Sequence, residues 1–124
     1  MQPLDEAATE TLRAAVDRII PPDDESPGGL EAGVADFLLD GLAPGGYFPG
    51  DLPCYEEGLT ALDALARRMF GASFAAIGAA QQDTVLIQFA ADAPAFFPLL
   101  VEQCQEGFYT SPAGQEMIGW RVTG

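Results

Sequence analysis

The sequence predicts an all-α fold, a compact irregular bundle of about five helices plus a short C-terminal helix. Three observations predict it. Apolar residues recur at helical spacing in one segment after another, and a Pro or Gly ends each segment. The single run that could pass for a strand, Thr84 to Ile87, has no second candidate strand to pair with. With 124 residues, 48% of them hydrophobic, the chain reads as a single helical domain over residues 1–124.

The first helix is expected from about Asp5 to Ile19, with Leu12, Ala15, Val16, Ile19 and Ile20 as its core stripe. Pro21 disfavours helical geometry at Ile20 and ends it. Asp23, Asp24 and Glu25 lack the Asp-x-Asp-x-Asp-Gly spacing and closing Glu of a calcium loop, so they read as a solvated turn. Ser26 as N-cap and Pro27 at the first helical position then open the second helix. Its stripe is Leu30, Val34, Phe37, Leu38 and Leu42, with Glu31 near the positive end of the dipole and Pro44-Gly45-Gly46 as the stop.

The longest irregular stretch runs from Ala43 to Pro53. Tyr47 and Phe48 inside it are either a plug tucked onto the core or an exposed contact, packing being the commoner outcome. The third helix is expected from about Tyr55 to Phe70, with Tyr55, Leu59, Leu62, Ala66, Met69 and Phe70 inward. Glu56 and Glu57 fall in its first turn, Arg67 and Arg68 in its last, and Gly71 just past its end. Phe74 and Ile77 lead into a fourth helix, Ala79 to Ala91, chosen over a strand because good helix formers flank Thr84 to Ile87. A fifth begins near Pro94 and carries Phe97, Leu100, Val101, Cys104 and Phe108 inward, with Gly107 loosening its end. Pro98 fits only if the regular helix starts close to it. Ser111 as a fresh cap and Pro112 start a short helix to about Ile118, and Gly119-Trp120 follow.

Charge narrows the function. The chain has 19 Asp and Glu against 5 Arg, with no Lys and no His, for a net charge of −14. Such a surface repels phosphate backbones, which argues against nucleic acid or an anionic membrane as partner. It acts as a solubilising coat, or steers towards a basic partner. No apolar run approaches the roughly 20 residues that span a bilayer. The polar, acidic stretch Met1 to Glu10 is neither a secretory nor a twin-arginine signal, so the chain as written is expected in the cytoplasm.

Catalytic patterns do not assemble. Without histidine there is no Ser-His-Asp or Cys-His arrangement, and Cys54 and Cys104 match no zinc spacing. These cysteines are expected to be buried thiols or an internal disulfide, an intermolecular link being the remaining option. Gly71-Ala72-Ser73-Phe74-Ala75 lacks the final glycine, preceding strand and base of a nucleophile elbow. Neither Gly28-Gly29 nor Gly45-Gly46 has the spacing of a phosphate loop. The carboxylates are scattered over polar helix faces, so no catalytic, metal or cofactor residue is expected in this chain. What stands out is aromatic: Phe96, Phe97, Phe108, Tyr109 and Trp120 exceed what a helical stripe needs, and such residues anchor interfaces. The candidate partner interface is Phe108, Tyr109 and Trp120, with Tyr47 and Phe48 as secondary candidates.

Three groups of residues, taken in order, resemble the gluconate 2-dehydrogenase subunit 3 family. The first is Leu12 with Asp17-Arg18-Ile19-Ile20-Pro21, the following Asp-Asp and Pro-Gly, and Glu31-Ala32-Gly33-Val34. The second is Gly58-Leu59 with Leu62-Asp63, then Phe74 and Gln81-Gln82. The third is Phe96-Phe97, Gly107-Phe108-Tyr109-Thr110-Ser111-Pro112 and Gly119-Trp120. The resemblance spans nearly the whole chain.

It implies a non-catalytic small subunit bound to a large FAD-dependent dehydrogenase of the glucose-methanol-choline type, which oxidises sugars, sugar acids or related alcohols and in some cases passes electrons to a cytochrome c. In the family the small subunit is thought to help its partner mature, and often carries a twin-arginine signal that exports the folded pair. This chain shows no such signal, so a periplasmic location requires one that was removed or is carried by a partner. After Ser111-Pro112 the family often has a Tyr-Gly-Gly-Asn-like run; here Ala113-Gly114-Gln115-Glu116 stands instead, and contacts made by that run do not carry over. The alternative from residue chemistry alone is a stand-alone helical binding or regulatory domain, with self-association through the aromatic surface as one option.

Overall fold

The computed structural model describes residues 3–115. Among them there is no strand, and the Thr84 to Ile87 run is helical. Five α-helices follow in order: α1 (Glu6–Ile19), α2 (Val34–Leu42), α3 (Leu52–Phe70), α4 (Ala79–Asp92) and α5 (Phe96–Thr110). Short 3-10 turns occupy Pro49–Asp51 and Phe74–Ala76, and residues 112–115 are again helical. The rest of the predicted C-terminal helix, with Gly119 and Trp120, lies outside the described residues.

α1 starts where the Asp5 carboxylate accepts the Ala8 N–H at 2.7 Å, which satisfies one of the orphan donors of the first turn. Leu12, Ala15 and Val16 are buried, and Pro21 stops the helix as expected. In the acidic turn Asp23 accepts the Glu25 N–H, and all three acids face solvent.

The second helix begins later than Ser26-Pro27 predicts. Ser26 Oγ donates to the Pro27 carbonyl instead of capping a helix. The Gly29 N–H donates to the Ile20 carbonyl at 2.7 Å, and the two glycines lie so close to α1 and its exit that a Cβ on Gly28 would stand 2.8 Å from Pro22 and one on Gly29 2.8 Å from Val16. A helix from Pro27 would break that contact and place two glycines in its first turn. Gly33, at φ +85°, turns the chain before Val34 opens α2. Leu30 is therefore exposed and outside the stripe, and Asp36, in place of Glu31, occupies the first turn.

α3 starts three residues before Tyr55, because Pro53 is tolerated in a first turn. Glu56 and Glu57 accordingly fall beyond that turn, and Leu65 is buried whereas Met69 and Phe70, expected inward, are exposed in the last turn. Gly71, at φ +79°, ends the helix as predicted. α3 packs against α1, α4 and α5, while α2 packs chiefly against α5. Phe74 seals the gap beside α1 and α3, its N–H held by Asp63 and its carbonyl by Gln82, both at 2.9 Å. The aromatic core is edge-to-face: Tyr55 meets Phe96 at 5.2 Å between centroids, and Phe96 and Phe97 each meet Phe89 at 6.2 Å.

α5 accommodates Pro98 in its first turn. Gly107 does not loosen its end. A Cβ there would stand 2.7 Å from the Phe37 ring, so the glycine is the floor on which α2 sits. Ser111 then caps residues 112–115, its Oγ accepting the Gly114 N–H at 3.0 Å.

Candidate partner-binding surface

The Tyr47 loop is built from both ends. Gly45, at φ +86°, reverses the chain, and Gly46 lies so close to the Asp40 carbonyl that any side chain would clash with α2. The Phe48 N–H donates to the Gly41 carbonyl at 2.9 Å, and its ring covers the bare Cα of Gly41. At the far end Gln103 donates to Asp51 at 2.9 Å and accepts the hydroxyl of buried Tyr55. Burial, with Cys104 and Asp51 nearby, holds that phenol neutral by raising its pKa far above the ordinary range.

Phe48 and Tyr47 thus meet opposite fates. Phe48 is a plug against the core, while Tyr47 is 88% exposed. The Tyr47 ring lies over Phe37, with centroids 6.5 Å apart and planes at 26°. Phe37 in turn meets Phe48 at 6.0 Å. A cleft of about 430 Å³ is lined by Phe37, Asp40, Gly45, Gly46 and Tyr47. Phe37 was legible only as a core position; its half-buried ring is what joins the loop to the helices.

The C-terminal candidates also divide. Phe108 is 7% exposed and belongs to the core, whereas Tyr109 is 52% exposed. Their rings stand edge to face at 5.9 Å, and the Gln115 amide holds the Tyr109 carbonyl at 2.7 Å. Trp120 lies outside the described residues. Among the described residues no ring-to-ring contact joins Tyr109 to Tyr47.

A third apolar region had no signal in the sequence beyond an unused position. Ile87 is 76% exposed beside a groove of about 680 Å³ lined by Ile19, Pro21, Leu86, Phe97 and Val101. At its rim Arg18 grips Asp83 through two hydrogen bonds, of 2.8 and 3.0 Å. That bond raises the Arg18 pKa and lowers that of Asp83.

Cys104 is the buried thiol expected, and Cys54 departs from that expectation. Both are free thiols, with Cys54 exposed on the first turn of α3 and Cys104 fully buried in α5. One residue before Tyr55 on α3, Cys54 lies about 100° round the helix from the stripe that Tyr55 begins. Burial pushes the Cys104 thiol up to about 12. Among the described residues no three His, Cys, Asp or Glu side chains are grouped to hold a metal ion, and no helix there is long and apolar enough to cross a membrane.

Residues 6–124 match the sequence model of the family described as Gluconate 2-dehydrogenase subunit 3. The chain belongs to that family. Neither a curated protein nor a solved structure matches it. Many of the residues that carry the resemblance have framework roles. Arg18 ties α1 to α4, Gly58 lies under the Phe96 ring, and Asp63 and Gln82 hold Phe74. Gly107 seats Phe37, and Ser111 caps the turn that follows.

Proposed function

We propose that this chain is a non-catalytic small subunit that binds, stabilises and helps mature a large FAD-dependent dehydrogenase of the glucose-methanol-choline type, acting on sugars, sugar acids or related alcohols. The observation that carries this reading is the subunit 3 family match over residues 6–124. The exposed tyrosines support it: Tyr47 and Tyr109 present rings of the type that anchor protein interfaces. On this reading FAD sits in the large subunit, and electrons leave through that subunit or an associated cytochrome c. The pair works in the cytoplasm, or in the periplasm where a twin-arginine signal, since removed or carried by a partner, takes the folded complex out.

Co-expression tests the reading. The chain is produced with and without a candidate flavoprotein large subunit from the same genome, and copurification, FAD content and turnover are measured. The proposal requires a stable complex and a flavoprotein that loses yield or bound FAD when the small chain is omitted. A flavoprotein that folds, holds FAD and turns over equally well alone sinks it.

A further inference from the structure

We propose that the cleft between Phe37 and Tyr47 receives an arginine side chain of a partner protein, stacked on the tyrosine ring with its guanidinium directed at Asp40. The cleft is lined by two aromatic rings, two glycines and a single charged residue, which is negative. Aromatic faces attract cations through their quadrupole, and a carboxylate beside them supplies the opposite charge. Asp36, one turn earlier on α2, is already paired with Arg13 at 3.1 Å. Asp40 has no such cation within 4.0 Å among the described residues, so no internal ion pair takes up its charge.

The platform is formed before any partner arrives. Gly45 and Gly46 fix the turn, Phe48 anchors it on Gly41, and the Asp51–Gln103–Tyr55 chain ties its far end to α5 and α3. Holding an almost fully exposed tyrosine on so anchored a loop leaves little ordering cost for the binding step. A net charge of −14 draws a cationic segment towards the surface from a distance. The stacked rings select arginine over lysine, because a planar guanidinium lies flat on an aromatic face while keeping in-plane donors for a carboxylate, whereas an ammonium is a hydrated point charge. The inference draws on the accessory-subunit reading only for where the arginine comes from.

The test needs no dehydrogenase. N-acetyl-arginine amide is titrated into the isotope-labelled full chain and backbone amide shifts are followed, with N-acetyl-lysine amide and N-acetyl-citrulline amide as controls. Arginine amide is expected to give saturable shifts centred on Gly45, Gly46 and Tyr47, at least about threefold tighter than lysine amide, with citrulline amide inert. Asp40→Asn and Tyr47→Ala should each weaken binding about three- to fivefold, and Tyr47→Phe should retain it. Both positions are exposed, so an otherwise unchanged spectrum shows that each variant folds. Shifts that are absent or spread over the surface, an equal response to lysine or citrulline, or indifference to both substitutions would overturn the proposal. The dehydrogenase co-expression can fail while this titration succeeds, and the reverse.

Discussion

Asp63 accepts the backbone N–H of Phe74 at 2.9 Å, reaching from α3 across the turn that carries the chain to α4. Phe74 is fully buried, and its carbonyl is taken by Gln82. One carboxylate and one amide therefore satisfy the backbone of the residue that closes the core beside α1. Removing the carboxylate strands the N–H in a site it cannot leave without withdrawing the ring. Asp63→Ala should cost about 1–3 kcal/mol in urea unfolding. Arg67, which pairs with the other oxygen of Asp63 but is mostly exposed, provides the control. Arg67→Ala should cost under about 1 kcal/mol. Equal losses for the two variants would mean that the ion pair, and not the Phe74 clamp, is what Asp63 contributes.

Gly58 and Phe96 make a second test of framework against propensity. A Cβ on Gly58 would clash with the Phe96 ring, and that ring is itself wedged against Tyr55 and Phe89. In an exposed helix Gly→Ala would stabilise by about 1 kcal/mol. Here overpacking should dominate, and Gly58→Ala should lower stability by about 1–3 kcal/mol. Adding Phe96→Leu makes room, so the double variant should lose less than the sum of the single changes. Strict additivity would show that the ring is free to move aside.

Local pattern made much of this fold legible, and packing between distant segments decided the rest. Leu12, Val16, Leu59, Leu62, Val85, Phe89, Leu100 and Cys104 are inward because helical spacing and Pro or Gly stops are local signals. Ser26-Pro27 is an equally good local start signal, yet the bond from Gly29 to Ile20 overrides it. Tyr47 and Phe48 are neighbours of similar chemistry, and nothing near them in sequence says which one Gly41 will receive. The aromatic surplus near the C-terminus pointed to Phe108 and Tyr109 alike, and the side of α5 on which each falls separated them. Asp40 was visible only as one polar helix residue among many until the turn at Gly45 brought Tyr47 beside it.

The Arg18–Asp83 pair predicts a pH dependence of definite sign. Asp83 has its pKa lowered in the fold, mainly by the hydrogen bond from Arg18, so the unfolded chain takes up this proton first as acidity rises. The stabilisation is fully present above the ordinary carboxylate value of about 4 and is lost as pH falls through the lower folded value. Comparing urea midpoints of the wild type and Asp83→Asn from neutral to acidic pH checks this. The gap should be modest, shrink with added salt because Asp83 is about half exposed, and close at acid pH. A gap that persists at low pH would assign the loss to packing instead of charge.

The two thiols should behave as different chemical species. Cys54 is exposed and should react with a water-soluble thiol reagent in the folded protein, whereas Cys104 should react only as the bundle opens. Mass spectrometry after a short pulse should find one label, on Cys54, and a second label appearing across the urea transition. Burial also fixes a sign at high pH. The folded thiol of Cys104 is held neutral up to about 12, while an unfolded cysteine ionises near its ordinary value of about 8.5. Between those values the unfolded state has lost a proton that the folded state keeps, so stability should fall as pH rises through that range. Cys104→Ala removes the thiol and should flatten this slope, at about 1–3 kcal/mol of lost packing. Prompt double labelling of the native protein would place Cys104 within reach of solvent and contradict its position in the core.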